Sequence, residues 1–577
     1  MNLIKENKAY LLKSIYNLGI DILYFIFLIT SLFSFIKTHE LNFLSQYCFS
    51  LSLIFINIYI IFTKYINTLN KIVYIFIYNG IILFSLLFSN LFFEIHFDGI
   101  SYHQDAILNI SNKFSIFTID LEGKYSHLTN YYPKLSWFYG AALNTEFNNI
   151  QLGKSLNILL ILSTFLISFY VIKKYNNSQA ILHTFLLVLN PISLSQLFTN
   201  YVDGALGLFL TLITIGLFSL LKSILKESES FKILFLGSLG AGSLKFTGLV
   251  FSVIAFLFVL IIIYHKYIYL RKKNLKFIIQ KYKNDKRIFN KYIIFIMIFQ
   301  VIYILYNPYI SNIIFKNHIF HPVMGSQKIK TLISSQTRPE FYNESSFIKL
   351  GLSIFSESMD HNYYSNVPYP PIKIPFLVTI WELKAFSMPD LRIAGWGPMF
   401  GGITIVVICL LFKNIYVMKK YYIIIFYLIL ISVISPESWW ARFNPQLYIL
   451  IAFSLFLVNS SRDLDANSRT LDSKKSLWIR LQSISGIMII VSYINSMLVF
   501  TPMLIHLYEK NEEVKKDLYF MLSSSTDNTI YWKMKKFHLE PIFKRYNLNY
   551  SDPSDKLPVE KLKCFKILVE EACIIKE

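Results

Sequence analysis

Residues 233–264 read ILFLGSLGAGSLKFTGLVFSVIAFLFVLIIIY, an apolar run whose one charge is Lys245. Both flanks are basic: Lys222, Lys226 and Lys232 precede it, and the lysine-rich segment 265–291 follows. Basic flanks mark the cytoplasmic ends of membrane spans, so an even number of crossings must join them. Residues 246–264 are long enough to cross. Residues 233–244 would cover about 18 Å as a helix, against a hydrocarbon core about 30 Å thick. A short or tilted helix that climbs to a turn at Ser243-Leu244-Lys245 satisfies both flanks. Lys245 is then expected at the outer interface, inside protein, where an ionisable group marks a functional site or a snorkelling lysine. Gly237, Gly240 and Gly242 would let this hairpin pack closely.

Further spans are expected at 17–36, 42–63, 72–93, 152–172, 180–198, 204–222, 289–306, 396–412, 421–435, 447–460 and 483–505. The fold class is an all-α polytopic membrane protein of about 12–13 transmembrane helices, in keeping with 54% hydrophobic residues and a mean hydropathy of +0.47. Lys5, Lys8 and Lys13 place the N-terminus inside, as a retained first span. Two large outer loops follow, 94–151 and 307–395, with interfacial helices lying over the bundle. The expected division is a membrane domain 1–505 and a small extracytoplasmic segment 506–577. The net charge of +21 sits mostly between spans, which points to membrane lipids and excludes nucleic acid as the partner. Cys48 and Cys409 lie in apolar spans, whereas Cys564 and Cys573 share the tail and could pair. The Ile, Phe, Tyr, Asn and Lys usage is that of an AT-rich bacterial coding sequence.

The residues that could carry chemistry gather near outer ends of spans. Asp98 precedes an amphipathic helix whose start, Ser101-x-x-Gln104, reads as a capping box. With Ser101 as the cap, Asp98 is left free to act as a general base toward a hydroxyl; a helix-start carboxylate is the plain alternative. His103 and Asp105 differ by about 200° on a helix and cannot face one site. Asp203, at the outer start of a span, reads as a helix cap or a second acid of the same cavity. Lys245 is a phosphate contact or a snorkelling side chain. His321 either caps a turn or contacts substrate. Glu437, Trp439, Trp440 and Arg442 open the span at 447–460. The tryptophans fit an interfacial belt, but the guanidinium among them suits a phosphate, and a sugar can stack on the rings.

Taken in order, these segments resemble the membrane glycosyltransferases of the C superfamily, which use polyprenyl-phosphate-linked sugars; protein mannosyltransferases and aminoarabinose transferases are examples. The resemblance rests on Asp98-Gly99-Ile100-Ser101-Tyr102-His103, then Tyr131-Tyr132-Pro133-Lys134, Asp203, Lys245-Phe246-Thr247-Gly248 and Trp439-Trp440-Ala441-Arg442, spanning about residues 70–460. It implies that Asp98 is the base of an inverting transfer and that His103 orients the base or the leaving phosphate. Donor and acceptor contacts would come from Lys245, Arg442, Asp203, Asp105, Tyr132, His321, Glu437 and Trp440. The second acidic residue that many members carry is absent, since Gly99 follows Asp98. A divalent metal is therefore left open but not implied, and no other cofactor is. Trp439-Trp440-Ala441 also departs from the oligosaccharyltransferase Trp-Trp-Asp.

The expected function is transfer of a sugar from a polyprenyl-phosphate-linked donor to a lipid, glycan or protein acceptor, at the outer face of a bacterial inner membrane. The alternatives are a transporter or flippase of lipid-linked glycans and a polysaccharide polymerase or ligase. A transporter should show internal repeats and midplane charges, and neither is visible in the sequence.

Overall fold

The computed structural model describes residues 2–63, 68–112, 133–175, 178–269, 298, 301–302, 305–326, 338–359, 368–435, 437–460 and 472–524, together with four strands between 529 and 575. Through Ser524 the described elements are helices, as expected, and among them six are long and apolar enough to cross a membrane. The protein is an integral membrane protein.

Helices used below are α1 (Asn2–Thr38), α2 (Thr68–Ser89), α3 (Gln104–Asn112), α4 (Leu135–Phe147), α5 (Ser155–Tyr175), α6 (Ala180–Val188), α7 (Asp203–Lys222), α8 (Glu227–Gly242), α9 (Phe246–Ile263), α10 (Pro445–Ser460) and α11 (Asp472–Ser524). The most enclosed is α7, whose apolar window is 94% buried, against 33% for α2 and 39% for α9. An all-apolar helix buries its whole circumference only at the centre of a bundle; the others turn a face to lipid.

The hairpin that decides the topology is present. It pairs α8 with α9 across Ser243-Leu244-Lys245, and Lys245 is extended at the start of α9. Glycine makes the approach possible. A side chain at Gly248 would run into the Ala241 carbonyl, and one at Gly237 would meet the Phe209 carbonyl at 3.2 Å. The ascending arm begins earlier than the sequence suggests, at Glu227, and its 16 residues rise about 24 Å. At the opposite end from Lys245, Lys13 pairs with Glu229 and Lys266 with Glu227, tying α1 and the turn after α9 to the base of α8.

Two spans differ from expectation. The segment 180–198 is not one helix: α6 stops at Val188, and a short helix Pro191–Ser195 follows. Asn190 is extended ahead of Pro191 and accepts a hydrogen bond from the Ile192 amide at 3.0 Å, the conformation that a following proline imposes. The last span is α11, which carries Pro502 inside it and runs to Ser524, across the 505/506 division. Beyond it lies a four-stranded sheet, β1 (Thr529–Trp532), β2 (Asn549–Ser551), β3 (Leu562–Ile567) and β4 (Glu570–Ile575), in the order β2-β1-β4-β3. The antiparallel β3–β4 register sets Cys564 opposite Cys573. The expected span 289–306 lies almost wholly outside the described residues.

Candidate active site

Four chain segments that are remote in sequence end at one side of the bundle: the stretch after α2, the start of α7, the turn before α9 and the stretch before α10. Each delivers one charged side chain. Arg442, just ahead of α10, donates from Nη1 to Asp98 Oδ2 at 2.7 Å. Its Nε lies 3.1 Å from Asp390 Oδ1. Lys245 Nζ meets Asp203 Oδ1 at 2.5 Å, with both side chains almost fully buried. The Phe443 ring joins the two pairs, its centroid 4.0 Å from Lys245 Nζ and 4.8 Å from the Arg442 guanidinium carbon. Trp440 stacks on the same guanidinium at 4.6 Å.

Asp98 reaches this place by a route the sequence did not indicate. Residues Gly99–His103 form one wide helical turn ahead of α3, and Ser101 sits inside that turn, buried, with no hydrogen bond to its hydroxyl. There is no capping box at Ser101. Asp98 does stand at the helix start, yet its side chain makes no cap bond and turns to Arg442 instead. Gly99 has a local reason: any side chain there would overlap the Glu94 carboxylate. That carboxylate accepts hydrogen bonds from the Asn200 amide at 2.6 Å and the His96 amide at 3.1 Å, so it fastens the turn to the segment leading into α7.

The electrostatics of the two carboxylates on Arg442 diverge. Burial alone would raise Asp98, but the adjoining guanidinium, with smaller help from a Tyr102 hydrogen bond, holds its carboxyl below the usual range. Asp390 is pushed up to about 7, chiefly by burial, with Asp98 and Asp203 adding repulsion that Arg442 and Arg392 only partly offset. Burial likewise pushes Glu94 up to about 7 and His103 down to about 4. His103 is thus a neutral ring. Its Nδ1 accepts from the Trp137 indole at 2.8 Å, which leaves Nε2 as the ring donor.

The remaining expected residues divide. Asp105 points along its own helix and accepts from Asn109 at 2.9 Å. Trp440 belongs to the cluster and donates to Asp390 at 2.9 Å. Glu437 accepts from the Trp439 indole and lies 3.9 Å from Lys349, so it serves the wall behind Trp440. His321 is buried in the second loop, where Asn312 donates to its carbonyl at 2.9 Å; the charges that act on it are Lys316 and His318 rather than the cluster. Tyr132 lies outside the described residues. Sequence reading missed Asp390 and Arg392, which follow Pro389 in the segment 307–395; the Arg392 guanidinium lies 4.6 Å from the Trp440 ring. It also gave no role to Glu94 or to the fully buried Lys134, 4.6 Å from the Trp137 ring. An Asp-x-Arg pair in a long loop gives no signal by spacing alone. Among the described residues no group of three His, Cys, Asp or Glu side chains comes together to hold a metal.

The fold and the cluster define a polytopic helical membrane protein with a charged, aromatic-lined site at one end of its bundle. Among solved structures it is similar to ArnT from Cupriavidus metallidurans, in its crystal structure bound to undecaprenyl phosphate: identity is 8%, coverage 84% of this chain and 86% of that one, and the TM-score 0.40. No family model and no curated protein matches the chain. A likeness at that TM-score carries nothing for the site, which is read from its own side chains.

Proposed function

We propose that this protein is an inverting glycosyltransferase that takes a sugar from a polyprenyl-phosphate-linked donor and places it on a lipid, glycan or protein acceptor, at the outer face of a bacterial inner membrane. The observation that carries this reading is the convergence of Arg442, Lys245 and Arg392 with Asp98, Asp203 and Asp390 at one end of the helices. A lipid phosphate sits at the depth where spans begin, and its leaving group needs cations placed in advance of the charge that develops on it. The guanidinium and ammonium supply them, backed by the rings of Trp440, Phe443 and Tyr201 that surround Arg442. Asp98 and Asp203 hold the cations in place until a phosphate competes for them. Charges at span ends rather than midway also favour transfer over transport.

The test is direct. Purified protein is incubated with a radiolabelled polyprenyl-phosphate sugar and a membrane extract as acceptor, and both release of polyprenyl phosphate and the anomeric configuration of the product are followed. Release with inverted configuration supports the reading. No release from any monophosphate or pyrophosphate donor in a panel would sink it.

A further inference from the structure

Asp98 and Asp390 share Arg442 unequally. Asp98 accepts a charged hydrogen bond from Nη1 at 2.7 Å and a second from Tyr102. Asp390 lies 3.1 Å from Nε, but that N–H is not aligned to bond. Its hydrogen-bond donor is the neutral indole of Trp440 at 2.9 Å. The charged groups facing it are Arg442 and Arg392, opposed by Asp98 and Asp203. A carboxylate with a neutral donor, and a like charge across a shared cation, is the stronger base of such a pair. It is also the more open one: the Asp390 side chain is 27% exposed and that of Asp98 16%.

We propose that Asp390, rather than Asp98, is the carboxylate that receives the acceptor's proton in the transfer described above, a role that rests on that reading of the site. In the step, the acceptor oxygen forms a bond to the anomeric carbon as its proton passes to an Asp390 oxygen. The bond from that carbon to the donor phosphate oxygen breaks, and its electron pair leaves on the phosphate. For a monophosphate donor, the leaving group gains a second negative charge and draws Arg442 toward itself. Asp98 and Asp390 then lose their common cation, and two neighbouring carboxylates without one cannot both stay charged at low cost. The proton on Asp390 removes that conflict. Asp98, the anion held more firmly before the transfer, keeps its charge.

The product complex is therefore protein, polyprenyl phosphate and one proton on Asp390. Adding undecaprenyl phosphate to the ligand-free protein must draw from the buffer the share of that proton not already held. Full-length protein in detergent is titrated calorimetrically with undecaprenyl phosphate at neutral pH, in two buffers of different ionisation enthalpy. The wild type is expected to take up about half a proton per ligand, since Asp390 is already about half protonated at neutral pH, Asp98→Asn less, because the repelling carboxylate is gone, and Asp390→Asn close to none. In the donor assay, Asp390→Asn should lower turnover by about 100-fold or more, and Asp390→Glu should restore part of it. Binding without proton uptake, or equal uptake in Asp390→Asn, overturns the assignment and leaves the proposed function standing; a proton carried by the phosphate itself would give that second result. Should Asp390→Asn not bind, Asp390→Glu decides: binding with uptake supports the assignment, and binding without it overturns it. Absence of binding to the wild type removes the proposed function, and this inference with it.

Discussion

Arg442 donates to Asp98 at 2.7 Å although 344 positions of sequence separate them. The bond joins two distant parts of the chain: the stretch after α2 carries one partner and the approach to α10 the other. It also gives the cluster its polarity, because Asp98 receives the aligned donor and Asp390 the unaligned one.

Arg442→Lys is expected to fail as a conservative change. A lysine has no fork to reach Asp98 and Asp390 together and no flat face for Trp440. Turnover should fall by about 100-fold or more, the range seen when a preorganised charge is removed from a transition state. A Lys variant with near-normal turnover would show that only charge is needed at this position.

Lys245→Ala is expected to cost stability as well as donor affinity. It strands Asp203 in a buried place, and breaking one side of a buried ion pair costs about 3–5 kcal/mol. The double change Asp203→Asn with Lys245→Met should recover most of that stability, read as Tm in detergent, and yet not recover donor binding. Recovery of both would make the pair purely structural.

Gly99→Ala should destabilise the turn by about 1–3 kcal/mol, the usual range for forcing atoms into a packed site, because the added methyl overlaps the Glu94 carboxylate. Gly351, in the helix Ser346–Phe355, has open space around its missing side chain and is the control: Gly351→Ala should leave Tm close to wild type. Equal effects at the two positions would argue against the contact.

Glu94 fixes the sign of one pH dependence. Its carboxyl is raised from the ordinary 4.5 to about 7, so between those values the folded state holds a proton that the unfolded state has released. Stability from this group is highest in acid and declines as pH rises through that window. Glu94→Gln should abolish the decline. The check is the difference in unfolding free energy between wild type and variant from about pH 4.5 to 7.5; a flat difference would mean that burial does not hold the proton.

Much of this was legible in the chain. Basic flanks and a run too long for one crossing and too short for two full ones set the hairpin, and it stands where expected, with Lys245 at its turn. Asp98, Asp203 and Arg442 were identifiable as charges at span ends, and the structure brings all three together. The reasoning for Asp98 was nonetheless misplaced. Ser101 does not cap, and Asp98 is drawn out by a cation 344 residues away. The Asn190-Pro191 break carried its own signal, yet apolar character alone made 180–198 look continuous.

The sequence by itself determined what belongs in the membrane and where charge is too costly to be incidental, because hydropathy acts locally and over tens of residues. Only the tertiary structure decided which charges meet. Pairing Lys245 with Asp203, and dividing Arg442 between Asp98 and Asp390, depends on how helices close around α7, and no local pattern encodes that. Asp390 shows the limit most clearly: an ordinary loop aspartate in the chain, it gains its setting only when folding brings it beside a cation that another carboxylate already holds more firmly.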